Sequence, residues 1–365
     1  MNLELVEKIA GAVLYEGYML YPYRASAVKN RQRFNFGVLT PKSYSEAQRG
    51  TESYEMQTEV LLIENQNTKL DVKVRFLHLM LREVKELNNG EFRVVPSLKV
   101  GEQIFQTWQE AVEREVVIKE INLRDILTQS KRVEMSFPET EANEPLQDAE
   151  GKNVGVIVRN QQSIKGEIEL RVEDCGLRIV DSNHKDYNEL RAQVIGKTPQ
   201  SAIPGPLLFK LTVRVSNTTT FENAERKSRD EALLKSLASA HTILALHDSE
   251  FISLLEPSDE FNEQVASCKN VGTFPVLVGE EGERDCVLSS PIILYDYPQI
   301  APESAGDLFD SAEIDEILTL RIMTMTDEEK REMRNVDEHA RRILERTENL
   351  PSEQLMKLHG AMKGR

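Results

Sequence analysis

Apolar positions recur every three or four residues at the start of the chain. Leu3, Val6, Ile9, Ala10, Val13 and Leu14 line one face of a helix over 2–15 that ends near Gly17. The period then changes. Residues 33–137 carry strand patterning: a short apolar run over Glu59–Glu64, then Val72, Val74 and Phe76 alternating with Lys73 and Arg75 and continuing through Leu79 and Leu81. Further strands are expected at Phe92–Val95 and Val116–Ile121, with Asn88-Asn89-Gly90 as a turn.

Alternation resumes after residue 152. Val154, Val156 and Val158, then Ile168, Leu170 and Val172, then Leu177 and Ile179 mark strands, and Phe209–Val215 alternates cleanly. Between them, Ser182–Pro206 reads as a long polar loop with a short helix around Asn188–Val194. A helix opening at Ser228 or Asp230 is expected to run through Leu233, Leu234, Leu237, Ala240, Ile243 and Leu244, and a shorter one from Ser258 through Phe261 and Val265. Strands are expected at Phe274–Val278 and Cys286–Leu288. Ile292–Leu294, beside Tyr295 and Tyr297 and between Pro291 and Pro298, suits an edge or terminal strand.

The last quarter of the chain is helical in pattern. Asp310 with Glu313, and Thr326 with Glu329, have capping-box spacing. Ile314, Ile317, Leu318 and Ile322 follow the first box. Met333, Val336, Ala340, Ile343, Thr347 and Leu350 form a narrow seam that packs either on the chain's own body or on a second copy. Asn349-Leu350-Pro351-Ser352 breaks this helix before a short last one over Glu353–His359.

These elements imply an α+β protein: two mainly antiparallel β-sheet domains with flanking helices and a C-terminal helical extension. The boundary is expected at 138–152, where Pro138–Glu150 holds five acids and two prolines and little to bury, as a mobile acidic linker does. The division is then an N-terminal domain over 1–137, a second over 153–295 and an acidic extension over 296–365.

Charge sharpens the picture. The 365 residues carry 61 acids against 45 lysines and arginines, a net of −16. Ten carboxylates face Arg321 alone between Asp296 and Glu329, so about nine of those negative charges sit in under a tenth of the chain. Between Gly17 and Ser45 there is no acid, while Arg24, Lys29, Arg31, Arg33 and Lys42 stand among Tyr18, Tyr21, Tyr23, Phe34 and Phe36. The acidic excess opposes nucleic acid and anionic membranes as partners, because phosphates need a basic footprint. No apolar run is long enough to span a bilayer. The N-terminus has acids where a signal peptide has bases, and three scattered cysteines, Cys175, Cys268 and Cys286, suit a reducing cytoplasm.

No catalytic motif survives weighing. His241 and His247 are wrongly phased for a metal pair on a helix, His78 has no companions, and no glycine-rich phosphate loop is present. Neither a cofactor nor a metal ligand set is implied. What remains is a protein-binding reading: Tyr21, Tyr23, Arg24, Lys29, Arg31 and Arg33 as a basic aromatic surface, and Asp307, Asp310, Glu313, Asp315 and Glu316 as an acidic one, meeting each other or a partner. The alternatives are a metal-dependent hydrolase built on Asp307, Asp310 and Glu313, and a self-assembling protein that forms a homo-oligomer through the Met333–Leu350 helix.

The segments LYEGYMLYPYRASAVKN from Leu14, FGVL from Phe36 and SPIILYDYPQIAPESAGDLFDSAEIDEILTLR from Ser290 resemble a little-characterised bacterial family associated with the gene clusters of uptake nickel-iron hydrogenases. The resemblance implies a cytoplasmic accessory or assembly protein, acting as a chaperone or docking factor whose partners are hydrogenase subunits or maturation factors. It carries no catalytic residues.

Overall fold

The computed structural model describes residues 3–15, 36–64, 68–178, 207–299 and 322–336, together with 341, 344, 345 and 347–349. Its strands run in order as β1 (Glu55–Glu64), β2 (Lys69–Asn88), β3 (Glu91–Val95), β4 (Ser97–Val100), β5 (Gln103–Gln106), β6 (Trp108–Asn122), β7 (Lys131–Phe137) and β8 (Thr140–Gln147). After these come β9 (Asn153–Gln161), β10 (Ile164–Arg178), β11 (Leu207–Asn217), β12 (Ala238–His247), β13 (Glu250–Ile252), β14 (Phe274–Leu277) and β15 (Cys286–Ser290). The helices are α1 (Leu3–Leu14), α2 (Lys42–Ala47), α3 (Asp125–Thr128), α4 (Arg229–Leu233), α5 (Asn262–Ser267) and α6 (Asp327–Val336). The chain is α+β, and every strand pairing is antiparallel.

A first sheet has the order β13-β1-β11-β10-β7, a second the order β14-β15-β12-β2-β9-β8, and β4 and β5 form a two-stranded third. The 20-residue β2 organises the second. Its first half is flanked by β12 and β6, and its second half by β9 and β3. At about 3.3 Å per residue it runs roughly 65 Å. Where β2 lies in the sandwich it is buried on both faces, and Phe76, Leu77, His78 and Leu79 are each fully enclosed. Phe76, Val74 and Val72 face Phe209, Leu211, Val213, Ile168 and Leu170 of the other sheet. The β2–β3 turn falls at Asn89 and Gly90, both at positive φ, as a two-residue hairpin of this hand requires.

The opposite face of the second sheet is covered by helices. Val6, Ile9, Ala10 and Val13 of α1 pack on Ile243, Val276, Val278 and Leu288. Leu14, Val38, Leu79, Trp108, Leu233, Ile322, Met333 and Leu344 form a neighbouring cluster. Glu7 clasps α1 to the sheet through ion pairs with Lys73 and Arg75. Farther along β2, Arg82 pairs with Glu110 at 2.7 Å, Glu110 with Arg159 at 2.9 Å and Arg159 with Glu144 at 2.7 Å, pinning four strands across the long end. Among the described residues no helix is long and apolar enough to cross a membrane.

Several expectations change. The division at 138–152 does not separate two bodies, because each sheet takes strands from both sides of it. The supposed linker is itself β8, laddered to β9 from Thr140 to Gln147. Its side chains are exposed apart from Leu146, so backbone pairing and not burial holds it. The helix expected over 228–244 stops at Leu233, and Ala238–His247 forms β12, buried from Ala238 through Leu246. A strand enclosed on both sides reads as a continuous apolar run, which the three-and-four spacing imitates. Ile292–Leu294 joins no ladder.

The described part of the C-terminal seam packs on the chain's own body. Met333 and Thr347 are buried there, and Leu344, which the periodicity left off the seam, is fully enclosed. Lys330 and Arg334 both reach Glu348. Fourteen residues of continuous helix would span about 21 Å, so α6 and residues 344–348 lie side by side instead of in one helix. The second capping box is present: Thr326 Oγ1 accepts from Glu329 N, and Thr326 N donates to Glu329 Oε2 at 2.9 Å.

Candidate docking surface

The basic residues Tyr21, Tyr23, Arg24, Lys29, Arg31 and Arg33, and the acidic residues Asp307, Asp310, Glu313, Asp315 and Glu316, lie outside the described residues, as does the first capping box. What the structure does place are the residues that flank both segments. Leu14 and Tyr15, which lead into 16–35, and Val38, which follows it, pack in the same cluster as Ile322, which follows 300–321. On the remaining side, Gly37 lies against Pro291. The residues before the basic segment and those after both segments therefore pack in one cluster on the helix-covered face of the second sheet.

Residues 290–297 form the described part of that surface. β15 is buried throughout, and its last residues are tied inward: Ser289 Oγ hydrogen-bonds Thr58 at 2.7 Å and Thr273 at 2.6 Å, and Thr273 Oγ1 donates to Ser290 O. Pro291 then meets Gly37, where a Cβ would come within 2.6 Å of the proline ring and the φ is +55°. Only glycine suits that contact. At the far end Asp296 Oδ1 accepts from Leu277 N at 2.8 Å, its other oxygen accepts from Ser253 Oγ, and Tyr297 N donates to Leu277 O at 2.8 Å.

Between these anchors the side chains alternate. Ile292 and Leu294 turn inward onto the α1 cluster, while Ile293 and Tyr295 turn out with 75% and 86% of their surface exposed. Phe36, beside Gly37, is also exposed. Large apolar side chains held outward on a segment pinned at both ends suit a partner surface, and tyrosine joins an apolar ring to a polar tip with few rotatable bonds. The sequence pattern missed this because the run between the two prolines reads as a buried strand. The sequence carries no signal for it, because Ile292, Ile293, Leu294 and Tyr295 are all apolar and alternate only in side-chain direction.

Other candidate sites are structurally committed. The outer face of the first sheet holds an open concavity of about 380 Å³ lined by Lys42, Tyr54, Arg132, Glu169, Arg214 and Asn217, among others. Its charges form a cross-strand ladder, with Arg132 to Glu169 at 2.9 Å, Arg214 to Glu169 at 3.5 Å and Arg214 to Gln57 at 2.8 Å, while Lys42 lies over the Tyr54 ring. Asn217 donates to Leu39 O and Lys235 O, bridging backbone segments.

The histidines serve the core. His78 Nε2 meets Gln162 O at 2.9 Å and His241 Nδ1 meets Ser239 O at 3.0 Å, each with its second ring nitrogen bare. Burial pushes both down to about 4, so both are neutral at pH 7. His247 pairs with Asp71 at 3.2 Å. Among the described residues no group of three or more His, Cys, Asp or Glu is placed to hold a metal ion. No family model matches the chain, and no curated protein matches it.

Proposed function

We propose that this protein is an accessory protein that docks on a protein partner, acting in the assembly of a nickel-iron hydrogenase. The observation that carries the docking reading is the outward presentation of Ile293 and Tyr295 on a doubly anchored segment, which begins against Gly37 just after the basic segment. Apolar contact supplies affinity there, and the flanking charges select and orient the partner. The resemblance of 14–30 and 290–321 to a hydrogenase-associated family supports the choice of partner.

Affinity purification of the tagged full chain from its own cells, at low and moderate salt, tests the reading. Hydrogenase subunits or maturation factors co-purify at low salt, and recovery falls at moderate salt and in an Arg24/Arg31/Arg33→Glu variant. A folded chain that recovers none of them overturns it.

A further inference from the structure

We infer that the docking surface takes an amphipathic segment of the partner whose apolar face is bordered by lysine or arginine at the Tyr295 end. This rests on the docking reading above and adds the chemistry of the partner. The apolar part is broader than the pair between the prolines. Phe274 is paired with Ser290 across the β14–β15 ladder and lies on the same face as Val276, which packs with Ile292 and Leu294, yet 44% of its surface is exposed. With Phe36 beside Gly37, four large apolar side chains stand out along a segment whose backbone is fixed.

The charge of the partner follows from what borders this patch. The turn between β14 and β15, residues 278–285, holds Glu280, Glu281, Glu283 and Asp285 against Arg284 alone. It is held rigidly. Glu280 N donates to Glu283 Oε2 at 3.1 Å, Glu283 N to Glu280 O at 3.0 Å, Phe251 N to Arg284 O at 2.7 Å and Leu246 N to Asp285 O at 2.8 Å. The turn abuts the docking segment, because Tyr297 N donates to Leu277 O, and Arg284 and the Gly282 backbone both act on the Tyr297 hydroxyl. The one base of the turn is drawn onto Tyr297, while Glu280 and Glu281 face solvent.

A protein interface of ordinary size covers about 800 Å² on each partner, roughly 30 Å across, so a partner seated on Ile293 and Tyr295 also overlies this turn. Carboxylates covered by a neutral or acidic surface lose hydration or are repelled, whereas lysine or arginine opposite them forms charge-assisted hydrogen bonds. The chain that continues past Tyr297 carries the same sign, with six carboxylates and no lysine or arginine between Pro298 and Leu320.

The test measures binding of the full chain to a fluorescent peptide of leucine and lysine at helical spacing, and to its leucine–glutamate counterpart, by anisotropy, with urea unfolding measured for each variant. The leucine–lysine peptide binds and the leucine–glutamate peptide does not. Affinity falls at least about tenfold in Ile293→Ser/Tyr295→Ser and in Glu280→Lys/Glu281→Lys. Glu139→Lys/Glu141→Lys makes the same change of net charge beside β8, at the opposite edge of the second sheet from β14, and leaves affinity within about twofold. Equal weakening by the two charge reversals marks general attraction to an acidic chain and overturns the inference. Undiminished binding by Ile293→Ser/Tyr295→Ser, or binding of the leucine–glutamate peptide, overturns it too. Co-purification of hydrogenase proteins without peptide binding sinks this inference alone, and peptide binding without co-purification sinks only the hydrogenase reading.

Discussion

β15 and the seven residues that follow it are continuous in sequence and opposite in what they do with apolar side chains. From Cys286 to Ser290 every residue is buried, and the strand is hydrogen-bonded on both sides, to β12 and to β14. From Pro291 to Tyr297 there is no ladder, yet the path is fixed as firmly by Gly37, Leu277 and Ser253. The strand spends its side chains on the protein's own core. The segment spends half of its own outward, which makes a rigid apolar surface and not a loose one.

Acid sharpens this contrast most, because it attacks the interior and spares the surface. His78 and His241 titrate near 4 in the folded chain, through burial, against 6.5 unfolded. Between those values the unfolded chain binds more protons, so stability is full above about pH 6.5 and falls as pH drops toward 4. The loss is about 3 kcal/mol for each histidine at most. Chemical denaturation at pH 7 and pH 5 checks it, and His78→Gln and His241→Gln each flatten the profile.

Next in size is Phe76→Ala, which removes a fully buried ring between the sheets and costs about 4 kcal/mol in urea unfolding. Gly37→Ala strikes the joint between interior and surface. Positive φ and a 2.6 Å approach to Pro291 make it cost about 2 kcal/mol, with displacement of the segment. Smallest is Ser228→Ala, which removes the side-chain oxygen that caps α4 in a reciprocal box with Glu231 and costs about 1 kcal/mol.

Local rules were legible in the sequence wherever one residue type has one job. The Thr326–Glu329 box, the Asn89-Gly90 turn and the alternation of β11 all appear where the pattern places them. The failures share a cause, since each needed knowledge of what lies on the other side. β12 is buried on both faces and so loses the period of two, and β8 is polar on both faces apart from Leu146 and so loses the apolar signal. The two domains assigned by position are interleaved because β1 pairs with β11 and β2 with β12, partners that no local window contains. For the candidate docking surface, charge counting singled out two segments that lie outside the described residues. The exposed pair between Pro291 and Pro298 became visible only with the direction of each side chain.

The most direct test of the docking claim is to compare partner recovery by an Ile293→Ser/Tyr295→Ser double variant with that of the wild-type chain, under identical salt and with urea stability measured alongside. Both positions are exposed, so stability should change by less than about 0.5 kcal/mol, while recovery of hydrogenase subunits or maturation factors drops at least about tenfold. Undiminished recovery by a fully stable double variant would contradict the account.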